Sequence, residues 1–373
     1  MRPQRVCLPP LSRLSPGCPA TPTDGRDVVP PSRGVRASMR SYLEACTVPT
    51  VSVGGVQLPR LIMGIHPFDG YGYVSADRDA AMLAHFSVFD RLVEVLRFGV
   101  DNGLTVAQAD HMSVHLNRRH LSALWQVQQL TGVEPGLVPF LVVPLRLDGQ
   151  PIQPRRVHAT LDRNNYLAVG ESYRRHLADD PIVGYLASGH GVEDEALVRF
   201  EDVPPYTPDE LARLEVDYAA LEREVGFFAG YPGLVADPGA EVDLLAPAGR
   251  FDLIEGYIAF LRRHFRAVVA SVHHPGMTLP LLERQGVSFD GYITPLNRLG
   301  VFMLPTPESA LRAVRASTRP VIAIKPMAGG RLLGREAFDY VLNEVGVAAS
   351  MFGMGTLDEV RFTVTEAKRA LGL

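Results

Sequence analysis

Cysteine is scarce in this chain, and its three copies, Cys7, Cys18 and Cys46, are confined to the N-terminal region. An odd set placed there builds neither a disulfide framework nor a thiolate metal site, and suits a reducing, cytoplasmic compartment. Excess charge is also missing. The net charge is −4 with both signs interspersed, which leaves no basic face for nucleic acid or an anionic membrane. No apolar run approaches the ~20 residues a membrane helix needs, and no compact apolar signal stretch stands at the start. Strong metal signatures are lacking too: no His-Glu-x-x-His occurs, and no His-x-His follows the first expected strand.

Core-forming material is plentiful. The 373 residues are 46% hydrophobic and 8% aromatic, enough for one α/β barrel of roughly 250 residues with additions, or for two ordinary domains. Residues 1–38 are of another kind, Pro-rich and arginine-bearing without apolar periodicity. Such a leader cannot offset its ordering entropy and is expected to be disordered. Its prolines argue against an amphipathic targeting helix, and Met39 is a second candidate for the start of the folded protein.

The most informative stretch is Val321-Ile-Ala-Ile-Lys-Pro-Met-Ala-Gly-Gly330. Four apolar residues, three of them β-branched, stop abruptly at Lys-Pro and then Gly-Gly, as in a strand buried on both faces of a parallel sheet. Similar short runs alternate with helical periodicity along the rest of the chain. Leu58–Gly70 reads as a first strand and its loop, Leu104–His115 as a second, and Leu137–Leu145 as a third. Ile182–Gly191 reads as a fourth, and strands near Ala267, Phe289, Val321 and Val347 complete the set. Eight strand–helix pairs in alternation describe a single (β/α)8 TIM-type barrel spanning 39–373. Residues 191–250 exceed a normal loop and form an insertion after the fourth strand, serving as a lid or as an oligomer contact. Thr207-Pro-Asp-Glu210 within it is a capping box that opens a helix reaching about Phe227. Thr356 and Glu359 form a second box at the start of the last helix.

In such a barrel the C-terminal ends of the strands converge on one mouth. His66, Asp110, His111, His190, His273 and Lys325 fall at or just after expected strand ends, as do Asp69 and His274. Three chemistries remain open for them. Imidazoles with Asp110 or Asp69 could hold a divalent metal, or the histidines could move protons themselves. Lys325, if desolvated, could form a Schiff base, or it could be a charge partner. Gly329, Gly330, Gly353, Gly355 and Thr356 follow strands seven and eight, where many barrels cradle phosphate. Asp358 and Glu359 stand in the same first helical turn and oppose an anion.

Ile324-Lys-Pro-Met-Ala-Gly-Gly-Arg-Leu332, Phe338-Asp-Tyr-Val-Leu and Met351-Phe-Gly-Met-Gly-Thr-Leu-Asp-Glu-Val360 resemble the C-terminal part of the aldo/keto reductase superfamily. Gly99–Val106 is similar to that family's second strand and Phe289–Asn297 to its sixth. The resemblance implies an eight-stranded barrel, an NAD(P) cofactor lying against strands seven and eight, and reduction of a small carbonyl compound. It does not carry over the family's catalytic set, an Asp and Tyr after strand two, a Lys at strand three and a His at strand four. Gln108 stands in place of the aspartate and Ser113 in place of the tyrosine. The expected third strand ends in Arg146 without a lysine, and only His190 falls near its place. Arg361 is one position late for the arginine that often holds the cofactor's extra phosphate. The expectation is an NAD(P)-linked oxidoreductase with non-standard acid–base residues. A redox-neutral His/Asp-based hydrolase or lyase, with or without a metal, is the alternative, and a non-catalytic ligand-binding barrel is a third reading.

Overall fold

A computed structural model describes residues 39–110, 114–187 and 198–373; the side chains of 110, 114–118 and 187 are not described. The expected disorder of leader 1–38 lies outside the described residues. Eight parallel strands form the barrel: β1 (Leu61–Gly64), β2 (Val106–Asp110), β3 (Gly136–Phe140), β4 (Val235–Ala236), β5 (Ala267–Ser271), β6 (Gly291–Pro295), β7 (Val321–Ile324) and β8 (Ala349–Gly353). Register runs round the ring from Met63 opposite Ala107 to Ser350 opposite Leu61. β3 and β4 close it, with Leu234 N–H donating to Leu137 O at 2.8 Å and Asp237 N–H to Pro139 O at 2.8 Å.

The short apolar runs become strands because each is covered on both faces. All residues of β1, β5 and β6 are buried. Inward residues Ile62, Val106, Val138, Val269, Ile293 and Ile322 fill the barrel, as branched side chains do in this architecture. A hairpin of Thr50–Val53 and Val56–Pro59 precedes β1 and adds Val53, Val56 and Leu58 to that cluster. Its turn needs glycine at Gly54: φ is +57°, and a β-carbon would stand 2.8 Å from Ala267 Cβ at the start of β5. The hairpin thus plugs the N-terminal end, leaving the other end for a ligand.

Helices cover the outside: α1 (Ala76–Phe86), α2 (Phe89–Asp101), α3 (Val114–Thr131), α4 (Pro154–Val169), α5 (Glu171–Asp179), α6 (Pro181–Ala187), α7 (Pro208–Ala212), α8 (Tyr218–Phe227), α9 (Phe251–Leu261), α10 (Pro275–Gln285), α11 (Pro307–Ala316), α12 (Arg335–Asp339) and α13 (Leu357–Ala370). No helix among the described residues is long and apolar enough to cross a membrane.

The sequence-based fourth strand is corrected. Ile182–Ala187 belongs to helix α6, and β4 is two residues inside the Gly/Pro-rich stretch that follows α8. A six-residue apolar run suits a buried helix as well as a strand. Here Asp180 decides, because its Oδ1 accepts from Ile182 N–H at 2.9 Å and Val183 N–H at 3.2 Å ahead of Pro181 at the first helical position. The long excursion therefore lies between β3 and β4, covering 141–234, and not after strand four at 191–250. It holds α4 to α8 and a small antiparallel sheet of Leu145–Leu147, Gln150–Pro151 and Leu214–Val216. The Thr207 capping box is present, but its helix ends at Ala212, and Asp217 caps a separate one.

Candidate functional site

A cavity of about 320 Å³ opens at the C-terminal mouth of the barrel and runs as a trench across β7 and β8 to α13. Its inner end is lined by His66, Gln108, Phe140, Ser271, His273 and Lys325, and its outer end by Arg78, Leu333, Glu359 and Phe362. Residues from the ends of β1, β2, β3, β5, β7 and β8 thus meet in one space, where barrels of this type place their chemistry.

Lys325 is the centre of the inner end. Its Nζ lies 4.6 Å from the ring centroid of Tyr73 and 5.2 Å from that of Phe302. Two aromatic faces attract a cation, so these surroundings suit an ammonium better than the neutral amine a Schiff base requires. The Tyr73 hydroxyl in turn lies 3.4 Å from His66 Nδ1. Backbone strain gathers at the same place. Among the described residues, five non-glycine positions have positive φ, and four of them are Tyr73, Phe302, Lys325 and Ala328, at +59°, +57°, +54° and +49°. Each such residue costs about 1–3 kcal/mol, and persists only where neighbouring structure over-determines it. The roof is supplied by the excursion: Ile182 and Leu186 of α6 pack with Tyr73, Val301 and Ala328.

The imidazoles are held neutral. Burial and then the charge of Lys325 pull His66 down to about 3. His273 is driven well below the usual histidine range by burial, then Lys325, His274 and His66. His273 is fixed from behind by Asp243, whose carboxylate accepts its backbone N–H at 2.7 Å and that of His274 at 3.3 Å. Asp243 itself is raised to about 7 by burial, Asp237 to about 7 and Glu241 to about 8 for the same leading reason. This carboxylic cluster occupies the segment just after β4, the strand the sequence reading misplaced.

Of the sequence-based site residues, His66, His273 and Lys325 come together in the cavity. Asp110 ends β2, but its side chain, like all of His111, Ser113 and His190, lies outside the described residues. His274 serves packing: its Nδ1 is 2.6 Å from buried Asn165 Nδ2 on α4. Asp69 pairs with buried His120 at 3.5 Å. Among the described residues no three His, Cys, Asp or Glu side chains converge to hold a metal. Tyr73, Arg78 and Phe302 were missed. The only sequence signal for the first was an aromatic pair, Tyr71-Gly-Tyr73, in the loop that follows His66.

The expected cofactor glycines do line the trench, but for different reasons. A β-carbon at Gly329 would lie 3.1 Å from Tyr73 Cβ, and one at Gly353 2.8 Å from Pro67 Cγ. A β-carbon at Gly330 would make only an ordinary contact, 3.5 Å from Val74 Cγ2, whereas one at Gly355 would collide with the Glu359 side chain. Thr356 is not free for an anion. Its N–H donates to Glu359 Oε2 at 2.8 Å and its hydroxyl to the same oxygen at 3.0 Å. Glu359 is also paired with Arg78 across the trench.

No family model matches the sequence, and no curated protein matches it. Solved structures similar to the chain over most of its length include a glycerol dehydrogenase from Gluconobacter oxydans, at 12% identity over 87% of this chain and 94% of that one, with a TM-score of 0.48. Two others are aldo-keto reductases, from the family the C-terminal motifs resemble. One, from Bacillus halodurans, matches at 11% identity over 87% and 95% with a TM-score of 0.42. The other, from Brucella melitensis, matches at 10% over 87% and 99% with a TM-score of 0.43. At such identities and scores the likeness carries no argument about chemistry, and the barrel rests on its own closed ladder of hydrogen bonds.

Proposed function

We propose that this protein is an oxidoreductase of small-molecule metabolism, of aldo/keto reductase type, in which Tyr73, Lys325 and His66 do the acid–base work. One observation carries the reading: a phenol, an ammonium and two neutral imidazoles share a single cavity at the barrel mouth. That donor set suits a carbonyl oxygen that gains charge during reaction. Lys325 would stabilise the developing alkoxide electrostatically, and Tyr73 would give it a proton. His66, kept neutral and 3.4 Å from the phenol, is placed to relay the replacement proton. Gln108 orients the substrate by hydrogen bonding, and Phe140 and Met351 exclude water.

A reduced nicotinamide would supply the hydride. The uncrowded backbone at Gly330 suits such a cofactor, and the guanidinium of Arg78, exchanging Glu359 for it, would hold its anionic part. Glu359 on the Thr356 amide supports a second reading, in which the same donors stabilise the oxyanion of a redox-neutral hydrolase or lyase reaction. Titrating the purified chain with NADPH and NADH, following cofactor fluorescence, separates the two. Saturable binding that a carbonyl substrate then oxidises is the expected result. Failure of both nucleotides to bind would overturn the oxidoreductase reading and leave the redox-neutral one.

A further inference from the structure

We propose that Asp180, supplied by the excursion between β3 and β4, is a positioning residue that sets Lys325 and His273 by holding Phe302 in a left-handed conformation. Asp180 stands at the head of α6 with its side chain fully buried. One oxygen caps the helix, accepting from Ile182 and Val183 N–H. The other reaches across to the loop after β6 and accepts the backbone N–H of Phe302. That loop is already clamped as far as residue 301: Asn297 donates to Val301 O at 2.8 Å and accepts from Val301 N–H at 3.0 Å. Asp180 takes over at the next residue, where φ is +57°.

A phenylalanine does not adopt that backbone region unaided, because its β-carbon crowds the carbonyl that follows. Once held there, its ring lies 5.2 Å from Lys325 Nζ and stands edge-on to the His273 ring at 6.1 Å. The ring therefore touches both an ammonium and an imidazole of the cavity, while the carboxylate that fixes it belongs to the excursion. His176 Nε2, 3.7 Å from Asp180 Oδ2, and Arg331, bonded to Pro181 O at 3.4 Å, hold the same corner from either side. A helix cap alone would need one oxygen of Asp180 and would be indifferent to Phe302. The inference rests on Lys325 being the reactive centre, as proposed above, and not on the nicotinamide.

The test uses the full chain with Phe302→Leu, Asp180→Asn and the double variant. Asparagine keeps an oxygen for the helix cap but turns an N–H group toward the Phe302 N–H, so the link is lost and the cap kept. Asp180→Ser, which also caps through one oxygen, serves the same comparison should the asparagine variant not fold. The chain has only two lysines, Lys325 and Lys368, so mild acetylation followed by peptide mass spectrometry reads Lys325 against an internal reference. Removing one ring face should raise the Lys325/Lys368 labelling ratio roughly two- to fivefold in Phe302→Leu. Asp180→Asn should raise it by a similar factor and the double variant no further, because the two changes act on one contact. Turnover of a carbonyl substrate should fall in kcat with KM little changed. An unchanged ratio in the Asp180 variants, or a double variant that multiplies the single effects, would overturn the inference. Because labelling needs no turnover, absence of reductase activity would count against the proposed function alone.

Discussion

The carboxylic cluster after β4 and the buried histidines make the stability of this barrel depend on pH in two opposite ways. Asp237, Asp243 and Glu241 have folded-state values raised by burial to about 7, 7 and 8. Between their ordinary values near 4 and these, the folded chain keeps protons that the unfolded chain has lost, so stability falls as pH rises. His66, His120 and His274 are lowered to about 3 and His273 is lowered as well. Between about 3 and 6.5 the unfolded chain binds the extra protons, and stability rises with pH. The two sets offset each other from pH 4.5 to 6.5. Above 6.5 only the carboxyl set still changes. Two groups over about half a pH unit and one over about one and a half, at about 1.4 kcal/mol per unit, remove roughly 3.5 kcal/mol by pH 8. The thermal midpoint, followed by circular dichroism at constant ionic strength, should peak near pH 6 and fall by roughly 5 °C by pH 8. Asp237→Asn should flatten the alkaline limb, since the amide can still accept from Gly239 N–H at 3.2 Å. A midpoint that continues to climb from pH 6.5 to 8 would refute the reasoning.

Tyr73→Phe removes the proposed proton donor and should lower carbonyl turnover by about 10²–10⁴-fold with the thermal midpoint nearly unchanged; retained turnover would assign the acid elsewhere. Lys325→Met should abolish ligand binding or turnover while barely changing stability, and borohydride with a carbonyl compound should leave no adduct on wild-type Lys325, as mass spectrometry would show. Asn165→Ala strips the buried donor from His274 Nδ1 and should cost about 1–3 kcal/mol in denaturant unfolding; an unchanged midpoint would mean that the contact contributes nothing net.

How much of this was legible in the chain depended on the length of each element and on what covered it. β1, β5, β6, β7 and β8 were readable because each is a run of four or five residues buried on both faces. β4 was not, because two residues, Val235 and Ala236, carry no periodicity. A more apolar run at 182–187 offered itself and is helical only because Asp180 and Pro181 start a helix there. The capping boxes at Thr207 and Thr356 were local and were found; where the first helix stopped was tertiary and was not.

The site divides along the same line. His66, His273 and Lys325 were legible because strand ends converge in any closed barrel, whatever the sequence between them. Tyr73 and Phe302 were not, since what makes them matter is a left-handed backbone imposed by neighbours distant in sequence. Ile182 and Leu186 roof Tyr73, and Asp180 grips Phe302, both from the excursion. β2 and β3 present Gln108 and Phe140 to the cavity, and the ammonium enters from β7. The cation arriving from that side lies between aromatic rings brought in from the loops after β1 and β6, Tyr73 and Phe302. Those loops can hold the rings only in strained conformations, and the strain is sustained by the packing of α6. The excursion between β3 and β4 therefore helps to set the surroundings of the lysine.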